Sequence, residues 1–268
     1  MPASEPQGGA TTDVVAVHGA RLRTATWGSG TPDIVLLHDG LGSIGQWRGV
    51  PADIQHATGA TVMAFDRSGH GASTPVPDGP WPADWLHREA AVLADLLDCL
   101  DAPAPLLVGH SDGGSIALLH AAAGGAVAGV VALAPHSFVE PMCVEAIQAM
   151  RRFPEVVVAG LARHHDAPGP LFDAWSGAWT SDAFAPWDVR PTLGDIDRPV
   201  LVVQGSGDEY ATAAQLEQTA LAIGSNAEAM SIDGVGHVLH HQVPDTVTGL
   251  VAAFYDQHVA APRVAEGD

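Results

Sequence analysis

The sequence predicts an α/β fold: a mostly parallel central β-sheet with helices on both faces, and a helical cap inserted after the sixth strand. Three observations carry this. Short apolar runs alternate with segments of helical periodicity along most of the chain. The alternation breaks only between Pro135 and Pro199. One strand, Leu106 to Val108, passes through a glycine-flanked turn straight into an Ala/Leu-rich helical pattern, Ser115 to Ala123.

Each element follows from its local pattern. Val14 to Thr26 reads as two β segments around a His18-Gly19-Ala20 turn. Asp33 to Leu37, Thr61 to Phe65, Val130 to Leu133 and Val200 to Val203 are apolar runs of the kind buried on both faces of a parallel sheet. Ala229 to Ile232 is a short last strand. Trp85 to Leu100 places Leu86, Ala90, Leu93, Leu97 and Leu100 at helical spacing. Ala211 to Ile223 and Val243 to His258 are the later helices. Between Pro135 and Pro199 the pattern is helical and rich in large side chains, with four phenylalanines and three tryptophans. This segment is expected to cover the carboxyl end of the sheet, where open α/β sheets bind ligands. The expected division is a core of 1–135 and 196–268, with frayed ends at 1–12 and 260–268, and a cap of 136–195.

Composition narrows the function. Hydrophobic residues make up 47% and charged residues 16%, enough apolar material for a sizeable core. The formal net charge is −20, and all eleven basic residues are arginine, which excludes lysine-based Schiff-base chemistry. An acidic surface of this kind repels nucleic acid and anionic lipid. The expected partner is a small-molecule substrate, bound by a monomer or homodimer. Cys99 and Cys143 make no disulfide framework, and both are expected as buried small apolar residues. Met1 to Asp13 is small and polar, and a cytoplasmic location is the expectation it supports. Ile116 to Ala134 is uncharged and long enough to raise the question of a membrane span. Gly124-Gly125 divides it, however, and a buried helix, a turn and a buried strand account for it.

The chemistry centres on Gly109-His110-Ser111-Asp112-Gly113. Between a strand and a helix this is a nucleophile elbow, with the serine at the apex of a turn too tight for side chains two residues to either side. A serine hydroxyl needs a base, and the base needs an orienting acid. The acid should follow a late strand, and Asp208 does so, with its neighbour Glu209 as the alternative. The base should follow the last strand, where Gly234-Val235-Gly236 leads to His237. An imidazole titrates near neutrality and can both take and return the serine proton. Two backbone donors are then needed for an oxyanion: the N–H of Asp112 and one from the glycine-rich loop after Leu37, Gly40 first and Leu41 second. Phe138, Met142, Trp175, Trp179 and Val238 are the expected pocket-lining residues.

Two other patterns compete. Gly40-Leu41-Gly42-Ser43-Ile44-Gly45 fits a dinucleotide fingerprint. Against it, His38 and Asp39 separate the glycines from the strand, and Pro51 is expected to cut short the helix that should follow. No cofactor is expected. His237, His240 and His241, and His164-His165-Asp166, are histidine clusters without an accompanying carboxylate or cysteine pattern, and no metal is expected.

With these motifs in view, the chain resembles the α/β-hydrolase superfamily over residues 14 to 258. The likeness rests on the His38 loop, Asp66-Arg67-Ser68-Gly69-His70-Gly71-Ala72-Ser73, the Ser111 pentapeptide, Asp208 and Gly236-His237. It implies a Ser111–His237–Asp208 triad beneath a cap. Its serine sets it apart from dehalogenases and epoxide hydrolases, which resemble this fold but carry aspartate at the elbow. The expected reaction is hydrolysis of a carboxylic ester or lactone of a small to medium apolar substrate. The alternatives are carbon–carbon hydrolysis of vinylogous diketones, whose enzymes usually carry asparagine where His110 stands, and a ligand receptor on the same fold. Perhydrolase (haloperoxidase-like) activity is a side reaction such a site supports. Relatives often have glycine where Asp39 follows His38, and Asp39 is expected to point away from the oxyanion site and stabilise its loop.

Overall fold

Strands of four to eight residues make one sheet. In the computed structural model, which describes residues 6–75 and 79–260, its strands are β1 (Thr11–Val17), β2 (Ala20–Trp27), β3 (Ile34–Leu37), β4 (Val62–Phe65), β5 (Leu106–His110), β6 (Gly129–Leu133), β7 (Val200–Gly205) and β8 (Ala227–Ile232). They lie in the order β1-β2-β4-β3-β5-β6-β7-β8. β2 runs against both its neighbours, and every other pairing is parallel. The five strands from β3 to β7 are buried along their whole length, which is why their sequences are continuous apolar runs rather than alternations.

The helices are α1 (Val50–Thr58), α2 (Trp85–Cys99), α3 (Asp112–Ala122), α4 (Pro141–Met150), α5 (Pro154–Leu161), α6 (Pro168–Trp179), α7 (Arg190–Leu193), α8 (Ala213–Ile223), α9 (Leu239–Gln242) and α10 (Pro244–His258). Strand alternation sorts the core into two layers. Val35, Leu37 and Leu107 pack with Leu86, Leu93 and Leu97 of α2 and Ile116 of α3. Ile34, Leu36 and Val108 face the other way, onto Ile54 of α1 and Val251 and Phe254 of α10. The helical insertion between β6 and β7 comprises α4 to α7, and the uncharged stretch from Ile116 resolves into α3, a turn and β6.

Proline placement explains several helix starts. α4, α5, α6, α7 and α10 all carry proline in the first turn. There its fixed φ suits the helix and its missing N–H has no intrahelical partner to lose. The same physics corrects the expectation for Pro51: it does not cut a helix short but sits in the first turn of α1. The dinucleotide reading falls for another reason, since Gly45 lies in a 3-10 turn, Ile44–Trp47, and α1 begins only at Val50. α8 starts at Ala213 rather than Ala211 because the Thr212 hydroxyl caps it, accepting from Ala214 N–H. Cys143 is buried as expected, but Cys99 is exposed at the end of α2. Of the ends expected to fray, residues 1–5 and 261–268 lie outside the described residues, and β1 already begins at Thr11.

Candidate active site

Ser111 joins β5 to α3 with φ 53° and ψ −121°, a conformation unusual for any residue with a side chain. The turn holds because the chain is pinned around it: Ser111 N–H donates to Leu133 O of β6 at 2.8 Å. A Cβ at Gly109 would lie 2.3 Å from Gly113 O, and one at Gly113 would lie 2.2 Å from Leu37 O. Both glycines are therefore dictated by backbone meeting backbone.

The loops after β7 and β8 complete the constellation. The ring of His237 stands with Nε2 2.9 Å from Ser111 Oγ and Nδ1 3.0 Å from both carboxylate oxygens of Asp208. All three residues are buried. Asp208 fixes the tautomer: Nδ1–H donates to the carboxylate and Nε2 is left to accept from the serine. Burial pushes the Asp208 carboxyl upward, but the His237 hydrogen bond and charge, with Tyr210 N–H at 2.9 Å, hold it below its ordinary value. Glu209, the alternative acid, holds the loop instead of the ring, since its Oε2 accepts from the His237 main-chain N–H at 3.0 Å. His110, pushed down to about 3 chiefly by burial, lies 2.9 Å through Nε2 from the His237 carbonyl and anchors the same loop. His240 is buried against Trp47 and His110, and His241 Nε2 meets Gln46 O, so the histidine cluster disperses into packing.

The loop after β3 is held by its carbonyls. His38 Nε2 accepts from Arg67 N–H at 3.1 Å, so its Nδ1 carries the proton and donates to Asp39 O at 2.8 Å. Arg67 Nη2 donates to the same oxygen at 2.8 Å. His70 Nε2 lies 3.0 Å from Gly40 O. His165, from the segment between α5 and α6, accepts from Gly71 N–H at its Nδ1 and donates from Nε2 to Leu41 O at 3.0 Å. Burial holds His38, His70 and His165 well toward the neutral form, His165 at about 4. Three consecutive carbonyls are thus drawn into the protein. In a trans peptide the N–H points opposite to the C=O, so the N–H groups of Gly40 and Leu41 turn the other way. Both residues line the cavity at Ser111.

That cavity has a volume of about 140 Å³. Of the expected pocket residues Trp175, Trp179 and Val238 line it, together with Asp112. Phe138 and Met142 do not. Phe138 bridges to Asp188 and carries the Arg190 guanidinium 4.0 Å above its ring, while Met142 is exposed and borders a different depression, beside Thr212. The α4 wall is made instead by Cys143, Ile147 and Met150, at i, i+4 and i+7. That stripe was available in the helical periodicity, one position round from Met142. His136 and Tyr210 complete the missed set.

Two carboxyls stand in the wall. The Asp112 side chain accepts from Trp175 Nε1 at 2.8 Å and is pushed up to about 6, chiefly by burial. This hydrogen bond lies over Gly40, where a Cβ would come within 2.1 Å of Trp175 Nε1. Asp39 only partly meets its expectation. Its carboxylate is folded onto Gly42 of its own loop, yet the residue lines the cavity, and its charge is felt by Asp112. Burial raises its pKa, while His237 and Arg67 oppose the rise.

A family model described as the alpha/beta hydrolase family matches residues 34–250. The chain belongs to the α/β-hydrolase family. It is 38% identical over 108 residues to the serine hydrolase BPHL of Homo sapiens, a match spanning 40% of this chain and only 37% of that protein. It is 26% identical to a non-heme haloperoxidase of Rhodococcus erythropolis, over 91% of this chain and 98% of that one. Among solved structures, Est816, described as an N-acyl homoserine lactone degrading enzyme, superposes with a TM-score of 0.72 at 26% identity, covering 90% of this chain and all of that one (100%).

Proposed function

We propose that this protein is a serine hydrolase that cleaves small carboxylic esters or lactones through an acyl-enzyme. The observation that carries this is the unbroken chain from Asp208 through His237 to Ser111 Oγ at a cavity. In this reading Ser111 attacks the carbonyl carbon as His237 Nε2 takes its proton. The N–H groups of Asp112 and Gly40 hold the developing oxyanion, each contributing on the order of 3 kcal/mol. His237 then protonates the leaving oxygen and activates the water that releases the acid. Ionised Asp208 stabilises the imidazolium between the two steps. The lactone-degrading relative supports the substrate class, by similarity of fold and sequence.

The test is hydrolysis of p-nitrophenyl esters from acetate to octanoate. The cavity, about 140 Å³, is smaller than the ~300–1,000 Å³ typical of drug-sized ligands, so kcat/KM should peak at acetate to butyrate. No turnover of any ester would overturn the proposal. Charge gives a second prediction. The wall carries Asp39 and Asp112 and includes no arginine. A p-nitrophenyl hemisuccinate should therefore react at least roughly tenfold more slowly than the butyrate, because its carboxylate meets like charge in a poorly solvated space.

His70 acts on the same step as a positioning residue. His70→Ala frees Gly40 O from the core and lets the Gly40–Leu41 peptide, with its Leu41 N–H, turn. The expected result is a fall in kcat of roughly tenfold with little change in KM, since the donors serve the transition state rather than the bound ester. A rise in KM alone would show that the contact serves binding.

A further inference from the structure

The cavity at Ser111 has a closed end and an open end. Along α4 the lining stripe is graded. Cys143 and Ile147 are 2% and 1% exposed, Met150 at the end of the helix is partly exposed, and residues 151–156 beyond it are all exposed. The Tyr210 hydroxyl, on the loop after β7, donates to Met150 Sδ at 3.6 Å. Tyr210, Val238 and Leu41 are also partly exposed members of the lining, and with Met150 they frame the mouth. The opposite end is sealed. Trp175 is buried and tied to Asp112 by its 2.8 Å hydrogen bond. Trp179 is buried too, with Phe184 and Trp187 packed behind it at centroid distances of 4.9 Å and 6.3 Å. A wall of close-packed rings does not yield to a lengthening substrate chain.

The order of bond breaking decides which half of an ester takes which end. After Ser111 Oγ attacks, the bond between the acyl carbon and the alkoxy oxygen breaks. That oxygen takes the proton His237 Nε2 received from the serine, and the alcohol departs while the acyl group stays bonded to Ser111. Water must then reach the acyl carbon from the His237 side and give its proton to the same nitrogen. The acid is released as that proton returns to Ser111. An alcohol held in the closed end would be trapped behind the acyl group. An alcohol at the mouth clears the way for the water by leaving. The surroundings of His237 agree with this placement. The next residue is Val238, and the Tyr210 ring lies 4.8 Å from the imidazole, both at the mouth. Asp112, the oxyanion donor, is tied instead to Trp175 at the closed end.

We infer that the closed end holds the acyl group, and that Ile147, the larger of the two buried α4 side chains in the lining, is the specificity-determining residue that limits its length. The preferred substrates are then esters of a short acid with a larger alcohol, whose far end extends out through the mouth. Cavity volume alone calls for a small substrate, whereas the graded burial of the lining restricts only one side of the scissile bond. The inference rests on the serine-hydrolase reading for the order of the steps.

The test compares hexyl acetate with ethyl hexanoate, isomers that carry the long chain on opposite sides of the same carbonyl. Each kcat/KM is divided by that ester's hydroxide-catalysed rate. Wild type should favour hexyl acetate by at least roughly tenfold. In Ile147→Ala the ratio should fall to near one, through faster cleavage of ethyl hexanoate. Ile147→Val should move the ratio the same way by less, and it keeps the test open if the alanine variant does not fold. Met150→Ala enlarges the mouth instead and should leave the ratio near its wild-type value. A fall to near one there as well would show general loosening of the cavity and count against the inference. Turnover of p-nitrophenyl acetate by wild type but not by Ser111→Ala establishes the hydrolase reading separately. On that background, a wild-type ratio near one, a preference for ethyl hexanoate, or a ratio unmoved in both Ile147 variants overturns the inference alone. No turnover of any ester overturns both.

Discussion

Ser111→Ala should lower kcat/KM for p-nitrophenyl butyrate by at least ~10³-fold while leaving the circular dichroism spectrum unchanged. The substitution removes one oxygen, the atom 2.9 Å from His237 Nε2. The alanine keeps a Cβ and inherits the φ of 53°, so the elbow is as strained after the change as before it. What remains is the oxyanion site and the cavity, which alone sustain a small residual rate. Retention of more than a few per cent of the activity would place the nucleophile elsewhere and undo the mechanism. Labelling of wild type by a fluorophosphonate, and its absence in the variant, checks the same point without relying on the chosen ester.

Gly113→Ala should be severely destabilising. The new Cβ would sit 2.2 Å from Leu37 O and 2.6 Å from His38 O. Both are main-chain atoms, at the end of a strand paired on each side and at the start of the loop pinned by Arg67 and three histidines. Neither can move by an ångström without breaking those pairings. A loss of roughly 4 kcal/mol or outright failure to fold is expected, at the far end of single-residue effects. Two neighbouring experiments give scale. At Gly114 the nearest atom to a new Cβ is 3.1 Å away, so Gly114→Ala should cost far less. At Gly249, exposed in α10 with nothing within 4 Å, alanine should stabilise by up to ~1 kcal/mol through helix propensity. Urea unfolding of the three variants orders them, and a stable Gly113→Ala would show that the elbow can relax.

Local pattern makes the elbow, the sheet and the two residues that join Ser111 legible, because each follows the end of a strand. Asp208 and Glu209 were harder to separate. They are adjacent, both acidic, and only the fold shows that one reaches the ring of His237 and the other its main-chain nitrogen. The helical insertion is legible in outline but not in detail, since helical periodicity defines stripes but not which stripe faces inward. Met142 and Cys143 differ by a single step around α4, and that step decides which of them sees the cavity. His136 belongs to no motif, and His165 stands out only as part of the His164-His165-Asp166 cluster. Their surroundings come from elements far away in sequence, of which neither stretch gives a hint.

The bond from His165 to Leu41 couples the covering helices to the oxyanion loop. The same segment is tied to the core a second time, by Asp166 N–H to Gly71 O at 2.9 Å. Roof and wall are thereby fastened as one piece: a substitution that loosens the segment around His165 also loosens the cavity wall at Leu41, far from it in sequence.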